Sequence, residues 1–102
     1  MGWADFAKEA LAKGQTAVVK PRGHSMTGKV NDGDIVTVSP VDTSTLLVDD
    51  IVLVRVKGRD FLHLIKAIDG ERVLIGNNRG GVNGWVGKGC VYGKAIAIEN
   101  RR

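Results

Sequence analysis

The 102-residue chain has one cysteine, Cys90, and two histidines, His24 and His63. A lone thiol permits no internal disulfide, and this set is too thin for a structural zinc site, so no metal and no other cofactor is expected. No apolar run approaches the roughly 20 residues that would span a bilayer. The N-terminus also lacks the basic region and apolar core of a secretory signal, so the sequence predicts a cytoplasmic chain with no membrane span. Aromatic residues are scarce, at 5%, and dispersed. Without aromatics interleaved with basic residues on one strand face, nucleic-acid binding is not supported by this domain alone.

What is present is the balance of an ordinary folded domain, with 43% hydrophobic and 25% charged residues. The length suits one small domain, 1–102, with a single core. The net charge of +4 comes from scattered basic residues and favours encounter with anionic partners without identifying one. Arg101 and Arg102 read as a solvated tail.

Helical spacing of Trp3, Phe6, Ala7, Ala10 and Leu11 predicts an amphipathic helix over 3–13. From there to 99 the period is that of strands and loops. Strands are expected over 16–20, 35–39, 51–56, 61–68, 72–76 and 91–99. The glycine- and asparagine-rich stretch 77–89 reads as a loop. Six or seven short strands at hairpin spacing point to a mainly β fold: a small coiled antiparallel sheet or partly open barrel with one short N-terminal helix.

Two stretches carry chemistry. Arg22-Gly23-His24-Ser25-Met26-Thr27-Gly28 sets a hydroxyl between glycines after the apolar run Ala17-Val18-Val19. Phe61-Leu62-His63-Leu64-Ile65-Lys66-Ala67-Ile68, read as a strand, puts Leu62, Leu64, Lys66 and Ile68 on one face and Phe61, His63, Ile65 and Ala67 on the other. A lysine among large aliphatics either extends its amine to water or loses its proton, and a neutral amine can act as the base that activates a serine. Lys29 lies four residues after Ser25, so the Ser-x-x-Lys signature of penicillin-binding enzymes is absent. His24, adjacent to Ser25, reads as a rim residue. His63 reads as a structural or surface residue, and Trp85 as either a groove residue or packing over the barrel mouth.

Gly23-His24-Ser25-Met26, then Val30-Asn31-Asp32-Gly33-Asp34-Ile35-Val36, Asp50-Ile51-Val52-Leu53-Val54 and Ile65-Lys66-Ala67-Ile68 resemble the ordered blocks of the LexA and type I signal peptidase superfamily. Gly76-Asn77-Asn78-Arg79 is similar to the Gly-Asp-Asn-Arg block of signal peptidases, with Asn77 where they have Asp. The resemblance implies a Ser/Lys dyad on a mostly β fold. In it Ser25 is the nucleophile, Lys66 the general base, and the backbone amides of Ser25 and Met26 the oxyanion hole.

The membrane anchor of signal peptidases, the helix-turn-helix of LexA-type repressors and the self-cleaved Ala-Gly bond do not appear. The expectation is therefore a minimal, freestanding serine peptidase that cuts a protein or peptide, itself included, through an acyl-enzyme. His24 and Trp85 are the candidate substrate-groove residues, and a homodimer is left open. The alternative is a catalytically silent β module of the same fold that binds protein or nucleic acid.

Overall fold

The computed structural model describes residues 2–100. The expected arginine tail, Arg101 and Arg102, lies outside the described residues. One helix, α1 (Asp5–Ala12), precedes seven strands: β1 (Ala17–Val19), β2 (Ile35–Ser39), β3 (Ile51–Val56), β4 (Arg59–Asp69), β5 (Arg72–Gly76), β6 (Val82–Gly87) and β7 (Val91–Glu99). They form one antiparallel sheet in the order β1-β2-β7-β3-β4-β5-β6, so β7 inserts between β2 and β3. The sheet is open, with β1 and β6 at its edges, and the fold is mainly β as the sequence predicts. No helix among the described residues is long and apolar enough to cross a membrane.

Alternation along the strands divides the core in two. On β3, Val52, Val54 and Val56 bury into one cluster with Ile65, Val73 and Ile75. Leu53 turns into a second cluster with Met26, Val36, Val38, Leu62 and Leu64. Each fully buried aliphatic contributes about 1.5–3 kcal/mol, which is why a strand apolar on both faces belongs at the centre of the sheet.

Helix α1 and the Ala4 that precedes it cover the second cluster with Ala4, Ala7 and Leu11, spaced three and four apart. The buried stripe thus differs from the predicted one. Trp3 and Phe6 remain 47% and 71% exposed, because the small alanines allow the helix to approach the sheet closely and the bulky rings fall outside that contact.

Two features depart from the sequence reading in ways that shape the site. The stretch 82–87 is a strand rather than a loop: β6 pairs with β5 although Gly84 and Gly87 interrupt its pattern. On β4 the pairing with β5 steps from Ile65↔Ile75 to Ala67↔Leu74, which leaves Lys66 as a bulge. The skipped residue reverses the alternation beyond it, so Ile68 packs with Ile65 in the first cluster instead of following Leu62 and Leu64.

Candidate active site

Ser25 lies in the connection between β1 and β2, in a loop held at several points. Gly23 and Gly28 have φ of +102° and +98°, a region that β-carbon-bearing residues seldom occupy, and so permit the chain to turn on either side of the serine. The Gly23 N–H donates to Asp32 Oδ1 (2.7 Å) and the Gly28 N–H to Asn31 Oδ1 (3.1 Å). The buried Asp34 accepts from the Asn31 N–H at 2.8 Å.

The turn after β5 ties this loop to the sheet. Asn78 donates its backbone N–H to the Ser25 carbonyl (2.9 Å) and its side-chain amide to the Thr27 carbonyl (2.8 Å). Each such bond contributes about 1 kcal/mol, and together they fix where the hydroxyl points. Among the described residues, neither the Ser25 nor the Met26 amide N–H donates a hydrogen bond within the chain.

The partner of that hydroxyl is His63. Ser25 Oγ stands 3.1 Å from His63 Nε2, and His63 Nδ1 stands 2.7 Å from Asn83 Oδ1. An amide oxygen only accepts, so Nδ1 carries the proton and donates to Asn83. Nε2 is then the acceptor for the Ser25 O–H. Asn83 reaches the imidazole from a bulge in β6, where pairing steps from Ile75↔Gly84 to Gly76↔Val82 and leaves Asn83 unpaired.

Ser25 is exposed while His63 is only 6% exposed, with the Phe61 ring at a 4.8 Å centroid distance. Burial holds the His63 pKa below the 6.5 of an ordinary imidazole, against the opposing effect of the Asn83 hydrogen bond.

A cavity of about 520 Å³ opens in front of the pair, lined by residues 20–23 leading into Ser25, by residues 59–63 of β4, and by Trp3. Residues 59–63 pair with β3 on one side, but β5 pairs only with residues 64–69. That half of β4 therefore presents unpaired backbone groups on the side away from β3.

The structure does not join Lys66 to Ser25 by a hydrogen bond and brings His63 there instead. From the bulge, Lys66 lays its stem over Gly76, the residue paired with Leu64. A β-carbon at Gly76 would lie 3.0 Å from the Lys66 Cγ and Cε. Among the described residues the Lys66 side chain makes no ion pair or hydrogen bond.

The other two sequence-predicted groove residues also fall elsewhere. His24 is exposed and uses its carbonyl to accept from Thr27, and Trp85 sits on β6 with the Arg72 guanidinium 5.5 Å from its ring centre. Neither lines the cavity. The signal for His63 is in the sequence: it is the other basic side chain in the apolar strand. Asn83 carries no signal, because its proximity depends on a bulge.

An open, coiled antiparallel sheet that holds a loop serine against it defines a LexA and signal peptidase-like β fold. A family model described as Peptidase S24-like matches residues 4–83, a span containing Ser25, His63, Lys66 and Asn83, and the chain belongs to that family. Comparison with curated proteins gives no match.

Proposed function

We propose that the protein is a serine peptidase in which Ser25 is the nucleophile, His63 the general base and Asn83 the residue that orients the imidazole. The observation that carries this reading is the relay from Ser25 Oγ to His63 Nε2 (3.1 Å) and from His63 Nδ1 to Asn83 Oδ1 (2.7 Å). A base must first be within reach of the proton it removes, and His63 meets that condition. Lys66, the base implied by family resemblance, has a packing role on Gly76 in this reading.

In acylation, Ser25 Oγ bonds to the scissile carbonyl carbon as its proton passes to His63 Nε2. The C–N bond then breaks, and the imidazolium gives that proton to the departing amine. In deacylation, His63 takes a proton from water, whose oxygen bonds to the acyl carbon; the Ser25 ester breaks and the hydroxyl regains its proton. The Ser25 and Met26 amides, which donate to no acceptor among the described residues, serve as the oxyanion hole in this reading. Asn83 offers the imidazolium a neutral dipole rather than a charge, so His63 remains neutral and competent as a base to lower pH than an Asp-paired histidine would.

The substrate is an extended peptide that adds to the free edge of residues 59–63, continuing the line of β5, with its scissile bond beside Ser25. A fluorophosphonate probe tests the assignment. Covalent labelling should map to Ser25, disappear in Ser25→Ala and His63→Gln, and persist in Lys66→Met. Labelling lost in Lys66→Met but retained in His63→Gln would return the base to the lysine.

A further inference from the structure

The cavity in front of Ser25 is unevenly charged. Its lining includes Lys20, Arg22 and Arg59, all exposed, and a single carboxylate, Asp60. The Lys8 ammonium stands 2.8 Å from Asp60 Oδ2, while Asp60 Oδ1 is buried without a hydrogen-bond partner. The three cations are in no ion pair among the described residues. The lining also includes the buried apolar residues Met26, Val30 and Leu62 and the aromatic rings of Trp3 and Phe61.

The order of side chains along β4 gives this charge a position. Arg59, Phe61 and His63 alternate onto one face. The Arg59 guanidinium lies 5.7 Å from the centre of the Phe61 ring, which in turn lies 4.8 Å from the His63 ring. The ring supports the guanidinium and leaves its N–H edge available to an acceptor. A peptide strand paired with this edge has the strand's own repeat of about 3.3 Å per residue. With the scissile residue beside His63, the residue two positions along faces Phe61, and the residue four positions along faces Arg59, about 13 Å from the bond that is cut.

We infer that the site selects acidic peptides, with an apolar side chain two positions from the scissile bond and a carboxylate four positions from it, recognised by Arg59 and reinforced by Lys20 and Arg22. The inference rests on the reading that Ser25 marks the scissile bond. A single-stranded nucleic acid would also be drawn to three cations. Peptide is favoured because the five consecutive residues 59–63 offer an unpaired strand edge, whose N–H and C=O groups a peptide backbone can pair with in register and a sugar-phosphate backbone cannot.

The test measures binding, so that it stands apart from turnover. Fluorescein-labelled decapeptides with a central scissile residue and an apolar residue two positions from it, identical except for Glu, Gln or Lys four positions from the scissile residue on the same side, are titrated by anisotropy against the full chain carrying Ser25→Ala. The Glu peptide should bind about twofold to fivefold tighter than the Gln peptide, as expected for an opposite-charge cross-strand pair. The contrast with Lys should be larger, and both differences should shrink at high salt. Arg59→Gln should erase the Glu-over-Gln preference at that position while the Gln peptide binds as before. Lys20→Gln with Arg22→Gln should weaken every acidic peptide wherever its charge is placed.

Equal affinities, no binding by any peptide, a preference that survives Arg59→Gln, or an oligonucleotide that outcompetes the Glu peptide would each overturn the inference. Probe labelling of the wild-type chain separates the two readings. Labelled Ser25 without acidic preference sinks the selectivity alone; acidic preference without labelled Ser25 sinks the peptidase alone.

Discussion

His63 and Lys66 stand three residues apart on β4, both basic and both flanked by aliphatic residues, yet their surroundings differ in kind. The imidazole is buried, with a partner on each ring nitrogen and an aromatic ring against its face. The amine extends from a half-buried stem over Gly76 and has no hydrogen-bond partner among the described residues. A base suited to catalysis must have both its position and its protonation state fixed by neighbours, and on β4 those neighbours gather around the histidine. A titratable side chain in an apolar strand is therefore a weak guide to function until its partners across the sheet are known.

The largest effect that could break this comparison is on reactivity. His63→Gln should slow acylation of Ser25 by about a thousandfold, within the range of general-base catalysis, and Lys66→Met should leave it essentially unchanged. Rates of fluorophosphonate labelling provide the measurement. The opposite ranking would assign the base to Lys66.

Next in size is the cost of disturbing the Lys66 packing. A methyl group at Gly76 would sit 2.5 Å from the Gly81 carbonyl oxygen as well as 3.0 Å from the Lys66 stem. Backbone cannot yield as a side chain can, so Gly76→Ala should destabilise the fold by about 2 kcal/mol, read from the urea midpoint at constant slope. Adding Lys66→Ala should recover only the smaller part of that loss. Complete recovery would mean that the lysine, rather than the turn, sets the limit.

How much of this was legible in the residues follows the same division. Strands β2, β3, β5 and β7 announce themselves as β-branched runs bounded by turns, and their predicted limits coincide with the observed ones. The glycine-flanked loop around Ser25 is legible for the same reason, since tight turning is a local property. Strand β6 is not, because Asn83, Gly84 and Gly87 carry turn chemistry and only pairing with β5 makes them a strand. The bulge at Lys66 is a mismatch between two strands, which no reading of either alone reveals. The same bulge defeats the simple alternation that put Lys66 and Ile68 on one face, and the bulge at Asn83 is what brings an asparagine distant in sequence to the histidine.

A smaller effect sharpens the contrast through pH. Because burial lowers the His63 pKa below 6.5, the acid limb of Ser25 labelling should fall below that value. Asn83→Asp replaces a neutral acceptor with an anion that favours the imidazolium, so it should move the limb toward higher pH. A limb that ignores position 83, with wild-type geometry retained, would detach Asn83 from the titrating group.

The smallest expected effect is on stability. A histidine whose pKa is depressed by folding is protonated more readily in the unfolded chain, so between the two values the unfolded state binds more protons. The contribution of His63 is fully present above the unfolded value of about 6.5 and is lost as pH falls through that value toward the folded one. His63→Leu, which cannot titrate, should lack this loss, so the difference between its urea midpoint and that of the wild type should change as pH is lowered through the window and level off on either side. Parallel midpoints across the whole range would mean that the ring is already as free to take a proton in the fold as outside it, which would contradict the burial that sets it apart from Lys66.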